Sequence, residues 1–203
     1  MAASNEFKDK TTYVHQQWQT DFTYFKIIGW GWYYLSTIMD DYSRYIISWE
    51  LCKNMESADA KRTVGTALEK TGLSKGQRPR LLSDNGSCYV SHEFKKFISE
   101  ENMSHVQGAP YHPQTQGKIE RYHRSMKNVV KLEHYFFPGE LEAKLKEFVD
   151  YYNNERYHES LKNVTPADVY FGRDKEILHR RRNIKIQTIK ERRKLNSKTK
   201  KSA

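Results

Sequence analysis

The segment Trp18-Gln-Thr-Asp-Phe-Thr-Tyr-Phe25 decides the fold that we expect for this chain. Its side chains alternate, with Phe22 and Tyr24 on one face and Asp21 and Thr23 on the other, which is the period of a β-strand. Aspartate is poorly suited to a strand, and a partly buried carboxylate is costly unless it is paired or bound to a metal ion. Asp21 therefore either pairs with an arginine or belongs to a functional site.

The residues after this strand predict two more strands joined by short turns, and then alternating helices and strands. The strands are expected at 32–39, 44–50, 79–83 and 104–107, and the helices at 57–72, 91–101, 114–134 and 139–155. Ser57 and Ser91 are suited to cap the first two helices, and Gly72 is suited to end the first. This order predicts an α/β fold, a five-stranded mixed sheet flanked by helices, with its parallel part connected by helical crossovers.

The composition indicates a soluble globular protein. A chain of 203 residues, 37% apolar and 30% charged, is long enough for one well-buried domain with an appendage. Its apolar stretches are far shorter than the roughly 20 residues that span a bilayer, and its first residues lack the apolar core of a signal peptide. Cys52 and Cys88 fit neither a zinc site nor a disulfide framework. We therefore expect a cytoplasmic protein with no membrane partner.

The positive charge is concentrated at one end of the chain. The formal net charge is +10 at pH 7, and positions 173–203 alone contain 13 Lys and Arg residues against 3 Asp and Glu residues. Dense basic charge binds polyanions through counterion release. We predict a polar leader at 1–12, a folded domain at 13–172, and a largely flexible, DNA-binding basic tail at 173–203. The alternative is a solvated terminus with no specific role.

Two further carboxylates occupy positions at which functional sites form. Asp84 directly follows a predicted strand, and sites of α/β folds lie beyond the carboxyl ends of strands. Glu120 lies near the start of a predicted helix whose entry, positions 111–117, is rich in turn formers and polar groups. Each has an ordinary explanation alone, since Asp84-Asn-Gly86 is a common turn and Glu120 could be one charge on an exposed helix. Their combination with Asp21 favours a site.

Three motifs resemble those of the retroviral-type integrase catalytic core superfamily, and more narrowly those of the Asp-Asp-Glu (DDE) transposases of bacterial insertion sequences. They are Trp18-Gln-Thr-Asp21, Asp84-Asn-Gly86 and Tyr111-His-Pro-Gln-Thr-Gln-Gly-Lys-Ile-Glu-Arg-Tyr-His123. The last two acids are separated by 35 residues, positions 85–119, which is the spacing typical of this group. Shorter matches at 40–44 and 152–166 extend the resemblance to about residues 13–172.

The resemblance implies an RNase H-like fold and the catalytic core of a DNA transposase or integrase. Such a core cleaves phosphodiester bonds at mobile-element DNA ends and transfers the strands into target DNA. The resemblance maps Asp21, Asp84 and Glu120 onto a catalytic, metal-binding triad for two Mg²⁺ or Mn²⁺ ions. Oxygen ligands suit these hard cations, and two ions can activate the incoming oxygen and stabilise the leaving one.

The helix that carries Glu120 also offers contacts to DNA phosphates, because Glu120, Arg124 and Lys127 recur at i, i+4 and i+7. The candidate DNA-binding residues are Tyr111, His112, Gln114, Gln116, Lys118, Arg121, Arg124 and Lys127. His112 and His123, near Glu120, are also candidates for zinc binding or for a general base. A metal-activated water, however, needs no histidine base.

The resemblance also implies partners. They are element ends and target DNA, further copies of the chain in a homodimer or higher multimer on DNA, and a separate or missing N-terminal domain that recognises the ends. It implies a bacterial protein associated with the nucleoid.

Two other functions stay open. An RNase H-like nuclease without strand transfer would use the same type of triad, although the 35-residue spacing argues against it. A domesticated DNA-binding protein would keep the fold and lose catalysis, although the presence of all three acids argues against that.

Overall fold

The structure is a computed structural model that describes residues 10–108 and 116–199. The strands are β1 (Gln17–Ile27), β2 (Gly31–Asp40), β3 (Ile46–Cys52), β4 (Arg80–Ser83) and β5 (His105–Gln107). The helices of the described residues are α1 (Ser57–Thr71), α2 (Ser87–Val90), α3 (His92–Glu100), α4 (Gly117–Val130), α5 (Pro138–Asn154), α6 (Pro166–Tyr170) and α7 (Asp174–Thr199). Short 3₁₀ turns lie at Lys75–Gln77 and Glu159–Leu161.

The strands form one sheet in the order β3-β2-β1-β4-β5. The first three strands are antiparallel neighbours, whereas β4 and β5 join the sheet parallel to β1. Two antiparallel strands can be joined by a tight turn, but parallel strands need a crossover, which α1 and then α2 with α3 provide. The predicted five-stranded mixed sheet flanked by helices is confirmed.

Each face of the sheet packs against its own helices. On one face, Phe25 and Leu35 pack with Ile119 of α4 and Leu145 of α5. The core of the other face contains Trp18 together with residues of α1 and α3. Because successive side chains of β1 point to opposite faces, Asp21 lies on the same face as Phe25 and is directed toward α4.

Helix α4 ends earlier than the sequence predicts, at Val130 rather than at His134. The Tyr135 hydroxyl donates to the Val130 carbonyl oxygen at 2.6 Å, and the Tyr135 carbonyl oxygen accepts from the Ile28 N–H at 3.1 Å. The first contact is local, whereas the second joins the chain to the β1–β2 turn, and together they outweigh the local helical pattern.

The cap predictions for the first two helices have different outcomes. The N-cap of α1 is Glu56 rather than Ser57, and the Asp59 carboxylate accepts from the Glu56 N–H at 3.0 Å. The predicted cap of the next long helix is confirmed, because the Ser91 hydroxyl accepts from the Phe94 N–H at 3.2 Å.

The structure places a continuous helix, α7, in the segment for which the sequence predicted a largely flexible basic tail. Regular secondary structure there was not predicted, because the segment lacks the apolar stripe that marks a packed helix. The flexibility and DNA binding of positions 173–203 stay predictions. No helix among the described residues has the length and apolar character needed to cross a membrane.

Candidate active site

Asp21 and Asp84 reach the same level of the sheet from adjacent parallel strands. Gln19 of β1 pairs with Leu82 of β4, and each aspartate lies two residues further along its strand direction. Burial raises the pKa of Asp84, and the charge of Asp21 raises that pKa further, whereas the hydrogen bond from the Gly86 N–H opposes both effects. The two carboxylates therefore interact electrostatically.

Glu120 lies in the first turn of α4, across an open groove from Asp21. The groove has a volume of about 750 Å³ and separates the outer half of β1 from one face of α4. Its lining includes Asp21, Glu120, His123, Arg124, Lys127 and Lys131. The prediction that Glu120, Arg124 and Lys127 share a face of their helix is confirmed.

His123 holds Asp21 on the floor of this groove. Its Nδ1 atom lies 3.3 Å from Asp21 Oδ2, and the side chains are only 7% and 20% exposed. Its Nε2 atom lies 3.4 Å from the hydroxyl of Thr37, the residue of β2 that pairs with Asp21. From the sequence, His123 was a candidate only for zinc binding or for general-base chemistry. The signal for an orienting role was its position three residues after Glu120, on the same helix face.

The first turn of α4 is fixed to the sheet by groups of the residues that precede Glu120. The Gln19 side-chain carbonyl accepts from the Ile119 N–H at 3.2 Å. The Gln116 amide donates to the Thr20 carbonyl oxygen at 3.4 Å, and Lys118 donates to the Asp41 carboxylate at 2.5 Å. Because Gln19 and Thr20 immediately precede Asp21, these contacts set the helix that carries Glu120 against the strand that carries Asp21.

Cations line the groove beyond Glu120. Lys127 Nζ lies 4.4 Å from the centre of the Tyr24 ring, and Lys131 Nζ lies 6.0 Å from it. Burial lowers the pKa of Lys127, the Lys131 charge lowers it further, and the Asp21 charge opposes them. The groove thus joins an acidic end to a basic wall, a charge distribution suited to a phosphate backbone near bound cations.

The donor set fits a hard divalent cation. Asp21 and Asp84 present oxygen ligands, and burial and the Asp21 charge both raise the pKa of Asp84, effects that a bound cation would offset. The nearby Cys88 thiol is buried, and burial raises its pKa to about 11, so the free thiol is protonated at neutral pH. Within residues 10–108 and 116–199, no group of three or more His, Cys, Asp or Glu side chains is placed so that it could hold a metal ion. The triad assignment therefore stays a prediction.

The predicted DNA contacts have separate positions. Tyr111, His112 and Gln114 lie outside the described residues. Gln116 is 7% exposed, and its amide contacts the sheet, while Lys118 is paired with Asp41 on another side of α4. Arg121 is exposed, and its Nε–H donates to the Gly117 carbonyl oxygen at 2.8 Å. Only Arg124 and Lys127 of the described candidates line the groove with Glu120.

The fold, the groove and the sequence define the class of this protein: the chain belongs to the Integrase core domain family. Two family models, each described as Integrase core domain, match residues 12–113 and 101–166. The chain is 31% identical over 114 residues to the Gag-Pro-Pol polyprotein of Simian retrovirus SRV-2, covering 56% of this chain and 6% of that protein. It is 34% identical over 113 residues to the Intracisternal A-particle Pol-related polyprotein of Mouse intracisternal a-particle MIA14, covering 55% and 12%. The chain thus spans only a small part of these relatives.

Solved structures share the fold. A chain of the simian T-cell lymphotropic virus intasome in complex with the PP2A regulatory subunit B56 gamma aligns with a TM-score of 0.68 and 23% identity, covering 80% of this chain and 56% of that chain. The HTLV-2 integrase catalytic core domain in complex with magnesium, in its dimeric form, aligns with a TM-score of 0.61 and 20% identity, covering 78% and 97%. These alignments confirm the predicted RNase H-like fold.

Proposed function

We propose that this chain is the catalytic core of a DNA transposase or integrase that cleaves phosphodiester bonds at mobile DNA ends and joins them to target DNA. One observation carries the proposal. Asp21 and Asp84 lie at the same level of adjacent parallel strands, and Asp21 also lines a groove whose opposite wall presents Glu120 followed by basic side chains. This combination suits a reaction in which negative charge increases on a phosphate.

The carboxylates of Asp21, Asp84 and Glu120 would hold two Mg²⁺ or Mn²⁺ ions. When bound, the ions would supply activation of the attacking oxygen and stabilisation of the leaving oxygen. Support comes from the oxygen-only donor set and from the magnesium complex of the similar HTLV-2 core. The contact between His123 and Asp21 would keep one carboxylate oriented, so that less reorganisation is needed when cations bind.

The basic wall of the groove would position DNA. Arg124 and Lys127 lie one and two turns beyond Glu120, and Lys131 adds a third turn. Their charges would hold consecutive backbone phosphates next to the carboxylates, and the exposed Tyr24 ring beneath Lys127 would provide a surface for an unpaired base. Phosphate contacts of this kind fix the position of DNA without reading its sequence.

The narrower assignment is to the Asp-Asp-Glu transposases of bacterial insertion sequences, supported by the 35-residue spacing. With it we propose assembly as a dimer or higher multimer on DNA, end recognition by a separate domain, and a nucleoid-associated location in a bacterial cytoplasm. The HTLV-2 core is described in dimeric and trimeric forms, which supports self-association of this fold.

A plasmid assay tests the proposed chemistry and separates the alternatives. Purified chain is incubated with supercoiled plasmid, a labelled duplex oligonucleotide, and Mg²⁺ or Mn²⁺, and both nicking and covalent transfer of the label are measured. We expect metal-dependent nicking and transfer that fall at least about a hundredfold in Asp21→Asn, Asp84→Asn and Glu120→Gln. Glu69→Gln, an exposed change on α1, is the matched control and should retain both activities.

The remaining outcomes point to the other functions. Nicking without label transfer, lost in the same three variants, would support an RNase H-like nuclease. DNA binding with neither reaction, in a wild-type chain that also fails to bind Mn²⁺ by calorimetry, would support a DNA-binding protein without catalysis and overturn the proposal.

A further inference from the structure

A second cavity, of about 350 Å³, lies on another side of α4 from the groove. Cations of four chain segments line it, namely Lys10, Arg44, Lys118 and Lys162, together with the hydroxyl of Ser160 and the carboxylate of Asp174. Lys118 precedes Glu120 by two residues, which places it roughly 200° around the helix from Glu120. The cavity and the groove share no lining residue.

The charges of this cavity are unbalanced. Lys118 is neutralised by Asp41, whose carboxylate accepts from Lys118 Nζ at 2.5 Å. Among the described residues, Lys10, Arg44 and Lys162 have no carboxylate within ion-pair distance, and Asp174 is the single acidic side chain of the lining. Three cations thus remain for one carboxylate, which produces a positive local potential in a partly enclosed space.

Arg44 lies in a tight turn at the wall of the cavity. Its φ of 65° is in the left-handed region, and its N–H donates to the Asp40 carbonyl oxygen at 2.8 Å. The Asp40 carboxylate accepts from the Ser43 N–H at 2.8 Å and from the Ser43 hydroxyl at 2.6 Å, which fixes the loop. A tight turn with an unusual backbone conformation thus holds a half-buried guanidinium at the cavity wall.

The guanidinium has an unsatisfied donor. Arg44 Nε is buried and has no hydrogen-bond partner within the part of the chain that the structure describes. A buried donor without a partner costs roughly 1–3 kcal/mol, and more when the group is charged. The two terminal amino groups of Arg44 are not buried and have no partner among the described residues, so an anion in the cavity can accept from the accessible end of the guanidinium fork.

Further positive charge surrounds the cavity. His158 Nε2 is also buried without a partner among the described residues. Burial lowers the pKa of His158 to about 4, and the charges of Arg156 and Arg44 lower it further. Burial lowers the pKa of Arg44, and the charge of Arg121 lowers it further, whereas Tyr152 and the charge of Asp41 oppose them. His158 is therefore neutral at pH 7, and the charges that add to the positive potential around Arg44 are those of Arg156 and Arg121, which would stabilise an anion there.

We propose that this cavity binds a phosphate group, held by the guanidinium of Arg44 and the ammonium groups of Lys10 and Lys162. In a complex with DNA, the group would be a backbone phosphodiester, so the cavity would hold a DNA segment on the side of α4 away from Glu120. The site uses none of the proposed metal ligands. Its binding is therefore independent of the proposed catalytic function.

Binding of inorganic phosphate to the full chain tests the site. Calorimetry is performed at constant ionic strength, without divalent cations, on wild type, Arg44→Gln, Lys162→Gln and the control Lys53→Gln, an exposed position after β3. We expect phosphate affinity to fall about tenfold or more in Arg44→Gln, since a hydrogen bond to a charged group is lost, and by a smaller factor in Lys162→Gln. Lys53→Gln and Asp84→Asn should bind phosphate as the wild type does.

Either of two results overturns the proposal: no measurable binding of phosphate to the wild type, or equal binding by Arg44→Gln and Lys53→Gln. If Arg44→Gln does not fold, the double variant Lys10→Gln/Lys162→Gln changes exposed side chains only and must lower phosphate affinity. Retained wild-type affinity in that double variant also overturns the proposal.

A second arm identifies the source of the phosphate group. Binding of a short duplex DNA is measured at several salt concentrations, because each neutralised phosphate adds about 0.9 to the slope of log K against log salt. A smaller slope in Arg44→Gln than in Lys53→Gln supports a DNA phosphodiester in the cavity. An unchanged slope, with phosphate affinity lost, supports the same site with a free phosphate as its ligand.

Discussion

Lys118 and Asp41 join the start of α4 to the end of β2. Lys118 Nζ donates to the Asp41 carboxylate at 2.5 Å and to the Asp41 carbonyl oxygen at 2.8 Å. The Asp41 side chain is only 6% exposed, and it also accepts from the Gln19 amide at 2.6 Å. Since Lys118 lies two residues before Glu120, this pair fastens the first turn of the helix that carries Glu120 to the sheet.

Removal of the Lys118 charge is expected to destabilise the fold. Lys118→Met leaves the Asp41 carboxylate buried without its cation, which should lower the free energy of unfolding by about 3 kcal/mol. Lys96→Met is the control, because Lys96 pairs with Glu100 at 3.9 Å on the surface, and its loss should cost about 0.5 kcal/mol or less. Urea unfolding compares them, and a similar small effect of both changes would contradict a structural role for the Lys118–Asp41 pair.

Asp84 is expected to destabilise the metal-free protein. Because burial and the charge of Asp21 raise the pKa of Asp84, its ionised form is disfavoured in the folded state. In EDTA, Asp84→Asn should therefore unfold at the same temperature as the wild type or at a higher one. In millimolar Mg²⁺ the wild type should gain stability and Asp84→Asn should not. Calorimetry measures the unfolding temperature with EDTA and with Mg²⁺, and the exposed change Asp150→Asn is the control. A stabilisation by Mg²⁺ that is retained in Asp84→Asn would show that Asp84 is not a metal ligand.

Asn153 of α5 satisfies the edge strand of the sheet. Its side-chain carbonyl accepts from the Ile46 N–H at 2.9 Å, its amide donates to the Ile46 carbonyl oxygen at 3.0 Å, and the residue is buried. Asn153→Ala should lower the free energy of unfolding by about 2–4 kcal/mol, because it leaves two buried backbone groups without partners. The exposed neighbour Asn154 offers the matched change Asn154→Ala, which should cost less than about 1 kcal/mol. Equal losses would show that the Ile46 contacts are not stabilising.

His105 is expected to make stability depend on pH. Burial lowers its pKa to about 4 from an ordinary value of 6.5, and the Lys95 charge lowers it further. The unfolded chain therefore binds a proton below pH 6.5 that the folded chain does not bind until about pH 4. The stabilisation is present above pH 6.5 and is lost as the pH falls toward 4.

The change His105→Asn isolates this effect. Between pH 6.5 and pH 5, the wild type should lose more stability than the variant, by less than about 1.4 kcal/mol per pH unit because the ring is partly exposed. Thermal unfolding across this range measures the difference, and the exposed change His134→Asn is the control. Identical pH profiles for wild type and His105→Asn would show that His105 does not titrate in this way.

The outer part of α7 is expected to contribute to DNA affinity and little to the fold. Arg181 donates to the Asn163 carbonyl oxygen at 2.6 Å, which ties the first turns of α7 to the core. Positions 184–203 contain 8 Lys and Arg residues against 1 Glu. A chain ending at residue 183 should unfold within about 2 °C of the wild type and bind duplex DNA with a smaller salt slope. An unchanged slope in fluorescence anisotropy would exclude the tail from DNA binding.

Local patterns were enough to predict the sheet and the candidate carboxylates. The alternation from Trp18 to Phe25 identifies β1 and the face of Asp21, because side-chain direction in a strand follows from the backbone alone. The order of strands and crossovers then leaves few possible sheets. Asp84 was placed at a functional edge by its position directly after a strand. The resemblance supplied the assignment of Glu120 to the same site.

The tertiary structure alone decided which side chains meet across the chain. The DNA contacts of Gln116 and Lys118 stay predictions, but their partners within the chain, which the sequence did not indicate, are Thr20 and Asp41, 96 and 77 positions away. The same holds for Asn153, whose partner Ile46 is 107 positions away. Periodicity and spacing report the direction of a side chain relative to its own helix or strand. A hydrogen bond between distant segments depends instead on how those elements pack, which no local pattern contains.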